Sequence, residues 1–277
     1  MKIAVIQMNV GVDKKKNLKT MRDYVDKAAE SDADIAVLPE MFNCPYSNDY
    51  FASYAEECGG ESYLALSDAA SSNGIYVVGG SIPELDKNCL YNTSFVFDRK
   101  GIEIAHHRKV HLFDVDIVGR QRFFESDTFT AGEDITVFDT EFGKMGLLIC
   151  FDIRFPEICR LIALKGANVL FVPAAFNMTT GPMHWELLFR LRAVDNQLFT
   201  TGIAPARDEN SVYVSYGNSI VVDPWGSVLY RAEARESMGL VNLDLSEIRS
   251  VREQLPLISA MRDDVYEVKE STATTSG

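Results

Sequence analysis

Lys144-Met-Gly-Leu-Leu-Ile-Cys-Phe-Asp-Ile-Arg-Phe-Pro-Glu-Ile-Cys-Arg-Leu-Ile-Ala-Leu-Lys-Gly-Ala-Asn-Val-Leu-Phe-Val172 decides how this chain is read. An apolar run at Lys144–Ile149, a helical pattern over Phe155–Lys165 and a second apolar run at Val169–Val172 give strand, helix, strand. Pro156 suits the first turn of a helix, so the residues from Cys150 to Phe155 form an elbow between strand and helix.

The same alternation extends in both directions. Upstream, strands at Ile3–Met8, Ile35–Leu38 and Tyr76–Gly80 are separated by helical patterns at Asn17–Ser31 and Gly60–Asn73. Thr93–Asp98 and Glu103–His106 flank a turn at Arg99–Gly101 and read as a hairpin. Downstream of the hairpin comes a strand at Ile135–Asp139, and beyond the elbow unit a helix at His184–Asn196 and strands at Phe199–Ile203 and Ser219–Val222. Similar element orders in both halves predict an α/β fold in which two mixed sheets pack face to face with helices outside, a single domain over 1–269. Glu270–Gly277, rich in Ser and Thr, reads as a flexible tail or an arm on a partner subunit.

Composition narrows the function. With 277 residues, 47% hydrophobic and 24% charged, the chain can bury a substantial core. A net charge of −13 repels phosphate backbones and anionic membrane surfaces, so a small molecule is the expected partner rather than nucleic acid or lipid. No apolar run is long enough for a membrane span, and Met1 opens directly into a strand without a secretory leader pattern. Five cysteines in odd number, without paired metal-ligand spacing, suit reduced thiols in the cytoplasm. The four histidines match no metal motif either, and structural or hydrogen-bonding roles are expected for them; neither metal nor cofactor is called for.

Three polar residues stand at the carboxyl ends of strands, where α/β folds bind ligands. Asp34-Ile-Ala-Val-Leu-Pro-Glu40 delivers a carboxylate, Ile104-Ala-His-His-Arg-Lys109 an ammonium, and Gly146-Leu-Leu-Ile-Cys150 a thiol. Each alone has a bland alternative: a solvated loop carboxylate, a basic surface cluster, an inert core thiol. The elbow after Cys150 favours a reactive thiol, since helix N-termini stabilise thiolates.

Leu-Pro-Glu40, His-Arg-Lys109-Val-His and Leu-Leu-Ile-Cys150-Phe-Asp-Ile-Arg-Phe-Pro-Glu157 resemble, in order and spacing, the three signatures of the nitrilase superfamily of carbon-nitrogen hydrolases, and the likeness runs from Ile3 to Arg252. The resemblance implies a four-layer α-β-β-α sandwich, often a homodimer joined sheet to sheet. It also implies a Glu40, Lys109, Cys150 triad that hydrolyses amides without metal or organic cofactor, with Glu125 as an auxiliary carboxylate. His111-Leu-Phe-Asp-Val-Asp116, Phe176-Asn-Met-Thr-Thr-Gly-Pro-Met-His-Trp-Glu186 and Arg192-Ala-Val-Asp-Asn-Gln197 are similar to the omega-amidase branch, which implies hydrolysis of the terminal amide of 2-oxoglutaramate or 2-oxosuccinamate. Deaminated-glutathione and N-carbamoyl amidases are the related alternatives, and an interaction module on the same fold is the non-enzymatic one. For the substrate, Arg154 is the candidate carboxylate anchor, against an internal ion pair with Asp152 or Glu157. Phe176 and Thr180 are expected to line the crevice, Tyr46 to close its opposite wall and the Phe151 N–H to serve as a second oxyanion donor.

Overall fold

A computed structural model describes residues 1–119 and 121–271. The first half forms β1 (Lys2–Gln7), α1 (Lys14–Glu30), β2 (Ile35–Val37), α2 (Asn48–Tyr54), α3 (Glu61–Asn73), β3 (Tyr76–Val78), β4 (Ile82–Asp86), β5 (Cys89–Phe97) and β6 (Glu103–Arg108). A hairpin of β7 (Asp114–Ile117) and β8 (Gln121–Phe124) leads into a 3-10 turn at Glu125–Asp127. The second half runs β9 (Thr136–Thr140), β10 (Gly143–Leu147), a 3-10 turn at Cys150–Arg154, α4 (Pro156–Leu164), β11 (Val169–Pro173), α5 (Gly181–Asn196), β12 (Phe199–Ile203) and β13 (Ile220–Val222). It ends in β14 (Val228–Arg231), β15 (Ser237–Asn242) and α6 (Ser246–Gln254).

These elements make two mixed sheets. One has the order β15-β1-β2-β3-β5-β4, with β6 also on β5; the other runs β14-β13-β12-β11-β10-β9. The halves of the sequence do not map cleanly onto the sheets, because β15 returns from the second half to pair antiparallel with β1, Val5 facing Gly239. Strand alternation sorts side chains between the layers. Val169 and Phe171 of β11 enter a core shared with Ile3, Val5, Ile35 and Val37 of the other sheet. Leu170 and Val172 point the opposite way, into a cluster with Ile162 of α4 and Trp185 and Phe189 of α5. On the far side Ala4 and Ile6 of β1 meet Met21 and Val25 of α1 and Leu66 of α3. The layers are therefore helix, sheet, sheet, helix.

Local chemistry sets the element ends. Asp13 caps α1 by accepting from the Lys16 N–H at 3.2 Å, which starts that helix three residues before the periodicity at Asn17 predicts. Gly74 ends α3 in the left-handed region, at φ 63°. Pro182 sits in the first turn of α5, which starts at Gly181, three residues ahead of the predicted start at His184. Buried polar groups also bridge the two halves: the Gln7 side chain accepts from the Ser219 N–H at 2.9 Å and donates to the carbonyls of Glu233 and Arg235 at 2.6 Å each. Of the C-terminal stretch read as a tail, residues 272–277 lie outside the described residues, while Glu270 pairs with Lys165 at 2.6 Å beyond the end of α4.

Phe171, fully buried between the sheets, tests whether they share one cooperative core. Phe171→Ala is expected to cost about 3–5 kcal/mol. In urea the wild-type chain should unfold in one transition that the variant shifts as a whole; two separated transitions would mean that the sheets are independent.

Candidate active site

Glu40, Lys109 and Cys150 come from the ends of β2, β6 and β10, and none is reached by solvent to more than 4%. After β2 the chain turns sharply at Pro39 and Glu40, with Met41 at φ 53°. Gly80 packs against that turn so closely that a Cβ there would lie 2.1 Å from the Pro39 carbonyl, and its φ of 58° likewise requires glycine. Cys150 itself sits in the left-handed region at φ 47°, a strained position for a residue with a side chain, costing about 1–3 kcal/mol.

The Lys109 ammonium is the hub. Its Nζ lies 2.9 Å from Glu40 Oε1, 2.9 and 2.8 Å from the two oxygens of Glu125, and 3.4 Å from the Tyr46 hydroxyl. Glu40 Oε2 accepts from the Ala175 N–H at 2.7 Å, and Glu125 Oε2 from the Phe113 N–H at 2.6 Å. The Tyr46 hydroxyl donates to Glu125 Oε1 at 2.7 Å, so Tyr46 joins the charged cluster as well as lining the cavity beside Glu40. The Cys150 thiol lies close enough to Glu40 for each to bear on the other's titration.

Electrostatics follow from this enclosure. Burial alone would lower the Lys109 pKa, but the carboxylates of Glu125 and Glu40 reverse the effect and hold the ammonium firmly charged. Burial raises Glu40, and the neighbouring Glu125 charge adds to it while Lys109 opposes. Burial likewise pushes the Cys150 thiol well up, reinforced by the Glu40 charge. The expectation of a thiolate favoured by a helix N-terminus therefore fails: Cys150 opens a short 3-10 turn, α4 begins only at Pro156, and desolvation beside a carboxylate dominates.

The elbow is fixed by Asp152. Its carboxylate accepts from the Ile149 N–H at 3.1 Å and the His111 N–H at 2.8 Å, and it bonds the rings of His107 and His111 at 3.0 and 2.8 Å. The two imidazoles hold its pKa far below the usual carboxylate range despite complete burial. One carboxylate thus grips the chain on both sides of Lys109 and just before Cys150. Arg192 closes the elbow from below, donating to the carbonyls of Ile153 and Arg154 at 3.0 Å each.

The remaining sequence candidates divide. Arg154 pairs with neither Asp152 nor Glu157; Nη1 meets His184 Nδ1 at 3.1 Å, and the guanidinium lies over the rings of Phe176 and Phe151 at 4.6 and 5.6 Å. Burial lowers its pKa, with the Cys150 charge as the opposing influence, which puts the cation within electrostatic reach of the sulfur. Phe176 is buried edge-on against Trp185, and Phe151 packs on Phe113 and Phe155. Thr180 is turned inward: its hydroxyl and N–H both bond Asn177 Oδ1, at 3.3 and 3.0 Å, so it offers the crevice no free donor. Sequence reasoning missed Asn92, whose amide reaches Glu40 and Glu125, and Tyr213, whose ring lies 4.6 Å from that of Tyr46 and whose hydroxyl donates to the Ala175 carbonyl. A polar Asn-Thr-Ser run in the middle of an apolar strand was the available signal for Asn92; Tyr213 carried none.

Known proteins resemble the chain along nearly its whole length. The carbon-nitrogen hydrolase family matches residues 2–253. Omega-amidase NIT2 of Danio rerio is 47% identical over 267 residues, covering 96% of each chain. Among solved structures, Saccharomyces cerevisiae Nit3, a member of branch 10 of the nitrilase superfamily, superimposes with a TM-score of 0.86 at 41% identity, covering 95% of this chain and 96% of that one. The Caenorhabditis elegans NitFhit protein gives a TM-score of 0.89 at 33% identity over 99% of this chain and 68% of its own. A chain with this fold and with such relatives along nearly its whole length belongs to the carbon-nitrogen hydrolase family, in the nitrilase superfamily.

Proposed function

We propose that the chain is an omega-amidase that hydrolyses the terminal amide of 2-oxoglutaramate and 2-oxosuccinamate to the oxo acid and ammonia through a thioester on Cys150. The observation that carries the chemistry is a buried ammonium held by two carboxylates, one of which bears electrostatically on a buried thiol. The substrate class is supported by relatives named omega-amidases that match end to end.

Each step follows from the charges in the cluster. Because burial keeps the thiol protonated at neutral pH, sulfur attack and proton transfer to Glu40 proceed together. Burial also raises Glu40 toward the range in which a carboxylate is a useful base. The oxyanion that forms is met by Lys109, with the Phe151 N–H as a second donor. Glu40 returns its proton to the departing ammonia, takes one from the water that attacks the thioester, and passes it to the Cys150 sulfur as the C–S bond breaks, which restores thiol and carboxylate. Glu125 holds Lys109 in place throughout. Cys150→Ala should reduce ammonia release at least about a thousandfold while leaving thermal unfolding unchanged. On a panel of 2-oxosuccinamate, N-carbamoyl amino acids and deaminated glutathione, the wild-type enzyme should favour the first; preference for another member would reassign the branch.

For the far carboxylate of the substrate, Arg154 is the anchor. A guanidinium half-buried on two aromatic rings, paired with no described carboxylate, has lost hydration that an incoming anion can replace. Phe176 beneath it packs the short carbon chain. Arg154→Lys keeps the charge and loses the fork, so KM for 2-oxosuccinamate should rise about tenfold or more, with little change for a neutral amide of equal length. Equal losses on both substrates would make Arg154 structural.

We also assign the protein to the cytoplasm, since all five cysteines are free, and read it as a homodimer. Helices cover the outer faces of both sheets, so two copies would meet through the helical layer rather than sheet to sheet. Met183, Leu187 and Leu191 repeat every four residues along α5, exposed at 72, 61 and 43%, beside Trp225 at 57%. Leu187→Asp with Leu191→Asp should convert the dimer to a monomer in analytical ultracentrifugation, and an unchanged mass would exclude this face.

A further inference from the structure

We propose that Asn92 is a positioning residue that seats Glu40 and Glu125 on one ammonium and keeps Glu40 ionised, ready to take the thiol proton. Asn92 lies in the middle of β5 and is wholly buried. Its backbone carbonyl accepts from the Lys109 N–H at 2.9 Å. Its side-chain Nδ2 donates to Glu40 Oε1 at 2.9 Å and to Glu125 Oε1 at 3.3 Å, the same two oxygens that each lie 2.9 Å from Lys109 Nζ. Two carboxylates and one ammonium leave the enclosed cluster with a surplus negative charge, and like charges at this range drive a proton onto one of them. A second donor bridging both oxygens opposes that.

The other end of the side chain supports the reading. Asn92 Oδ1 is buried and has no hydrogen-bond partner among the described residues. An asparagine retained for the fold alone would use both ends, since an unpaired buried acceptor is costly. Turning the amide over gives no relief, because Oδ1 would then face two carboxylates. The residue is kept for its donor.

The groups that face Glu40 are Lys109 from the end of β6, Glu125 from the 3-10 turn, Cys150 from the elbow, Tyr46 from the loop after β2 and Tyr213 from the segment between β12 and β13. Removing the Asn92 N–H destabilises only the charged form of Glu40, so its pKa rises. A base works above its pKa, and activity is then lost at a higher pH as the solution is acidified.

This inference rests on Glu40 as the base, and the experiment separates the two. The pH dependence of kcat/KM and of Cys150 alkylation by iodoacetamide is measured for the wild-type enzyme, Glu40→Gln, Asn92→Leu, which keeps the volume without a donor, and Asn92→Ser, which keeps a short donor. In Asn92→Leu the acid limb should move up by about one pH unit, with Asn92→Ser in between. A uniform loss at every pH, with the limb in place, overturns the role of Asn92 and makes it a packing residue. Should Asn92→Leu fail to fold, the shift in Asn92→Ser alkylation decides. An acid limb that persists in Glu40→Gln removes Glu40 as the base, and this inference with it.

Discussion

The Lys109 ammonium has no contact with solvent, and the attraction between it and the carboxylates of Glu40 and Glu125 is the interaction around which the site is arranged. Withdrawing an ammonium from water costs several kcal/mol even after the protein relaxes, and only close, well-directed anions recover that cost. The anions come from distant parts of the chain, Glu40 from the end of β2 and Glu125 from the turn after the β7–β8 hairpin. Each carboxylate is in turn held by a backbone N–H, Ala175 for one and Phe113 for the other. Deleting both anions would strand the buried ammonium, so the loops carrying them are tied to the fold through Lys109.

The same economy governs the thiol. A cysteine at positive φ on a buried elbow would relax if the elbow were loose, and Asp152 and Arg192 hold it from opposite sides. Asp152 also joins the elbow to His107 and His111, the residues two before and two after Lys109. Sulfur and ammonium are thereby registered by one shared carboxylate, without a direct bond between them.

Much of this was legible in the sequence, for identifiable reasons. β11 extends its prediction by only one residue, because Val169-Leu-Phe-Val is a continuous apolar run after polar Asn168, and β12 falls on the predicted Phe199–Ile203, where β-branched Thr200 and Thr201 lie between apolar ends. Glu40 and Cys150 stand out because each follows an apolar run, whereas Lys109 stands out as the residue just after a hairpin strand that ends in His106, His107 and Arg108. Pro83 hid β4, since proline argues against a strand, and it is tolerated there because β4 lies at the end of its sheet. The short helix Asn48–Tyr54 and the hairpin at Asp114–Phe124 lack sustained periodicity and take their form from what they pack against. Thr180 was misjudged because local sequence places a residue near a crevice but does not say whether its hydroxyl faces the crevice or a neighbouring side chain. Asn92 and Tyr213 matter through partners remote in sequence: the polar Asn-Thr-Ser run marks Asn92 as unusual in its strand without naming those partners, and Tyr213 has no local signal at all.

Full enclosure of the Lys109, Glu40 and Glu125 charges has a consequence for how the molecule meets its surroundings. Dissolved ions screen charges they can approach, over about 8 Å at physiological ionic strength. Surface pairs such as Lys19–Asp23 and Arg249–Glu253 are open to them and weaken as salt rises. The trio of Lys109, Glu40 and Glu125 is not, so its internal field is set by the fold and not by the medium, and brine that loosens the exterior leaves the chemistry of the interior as it was.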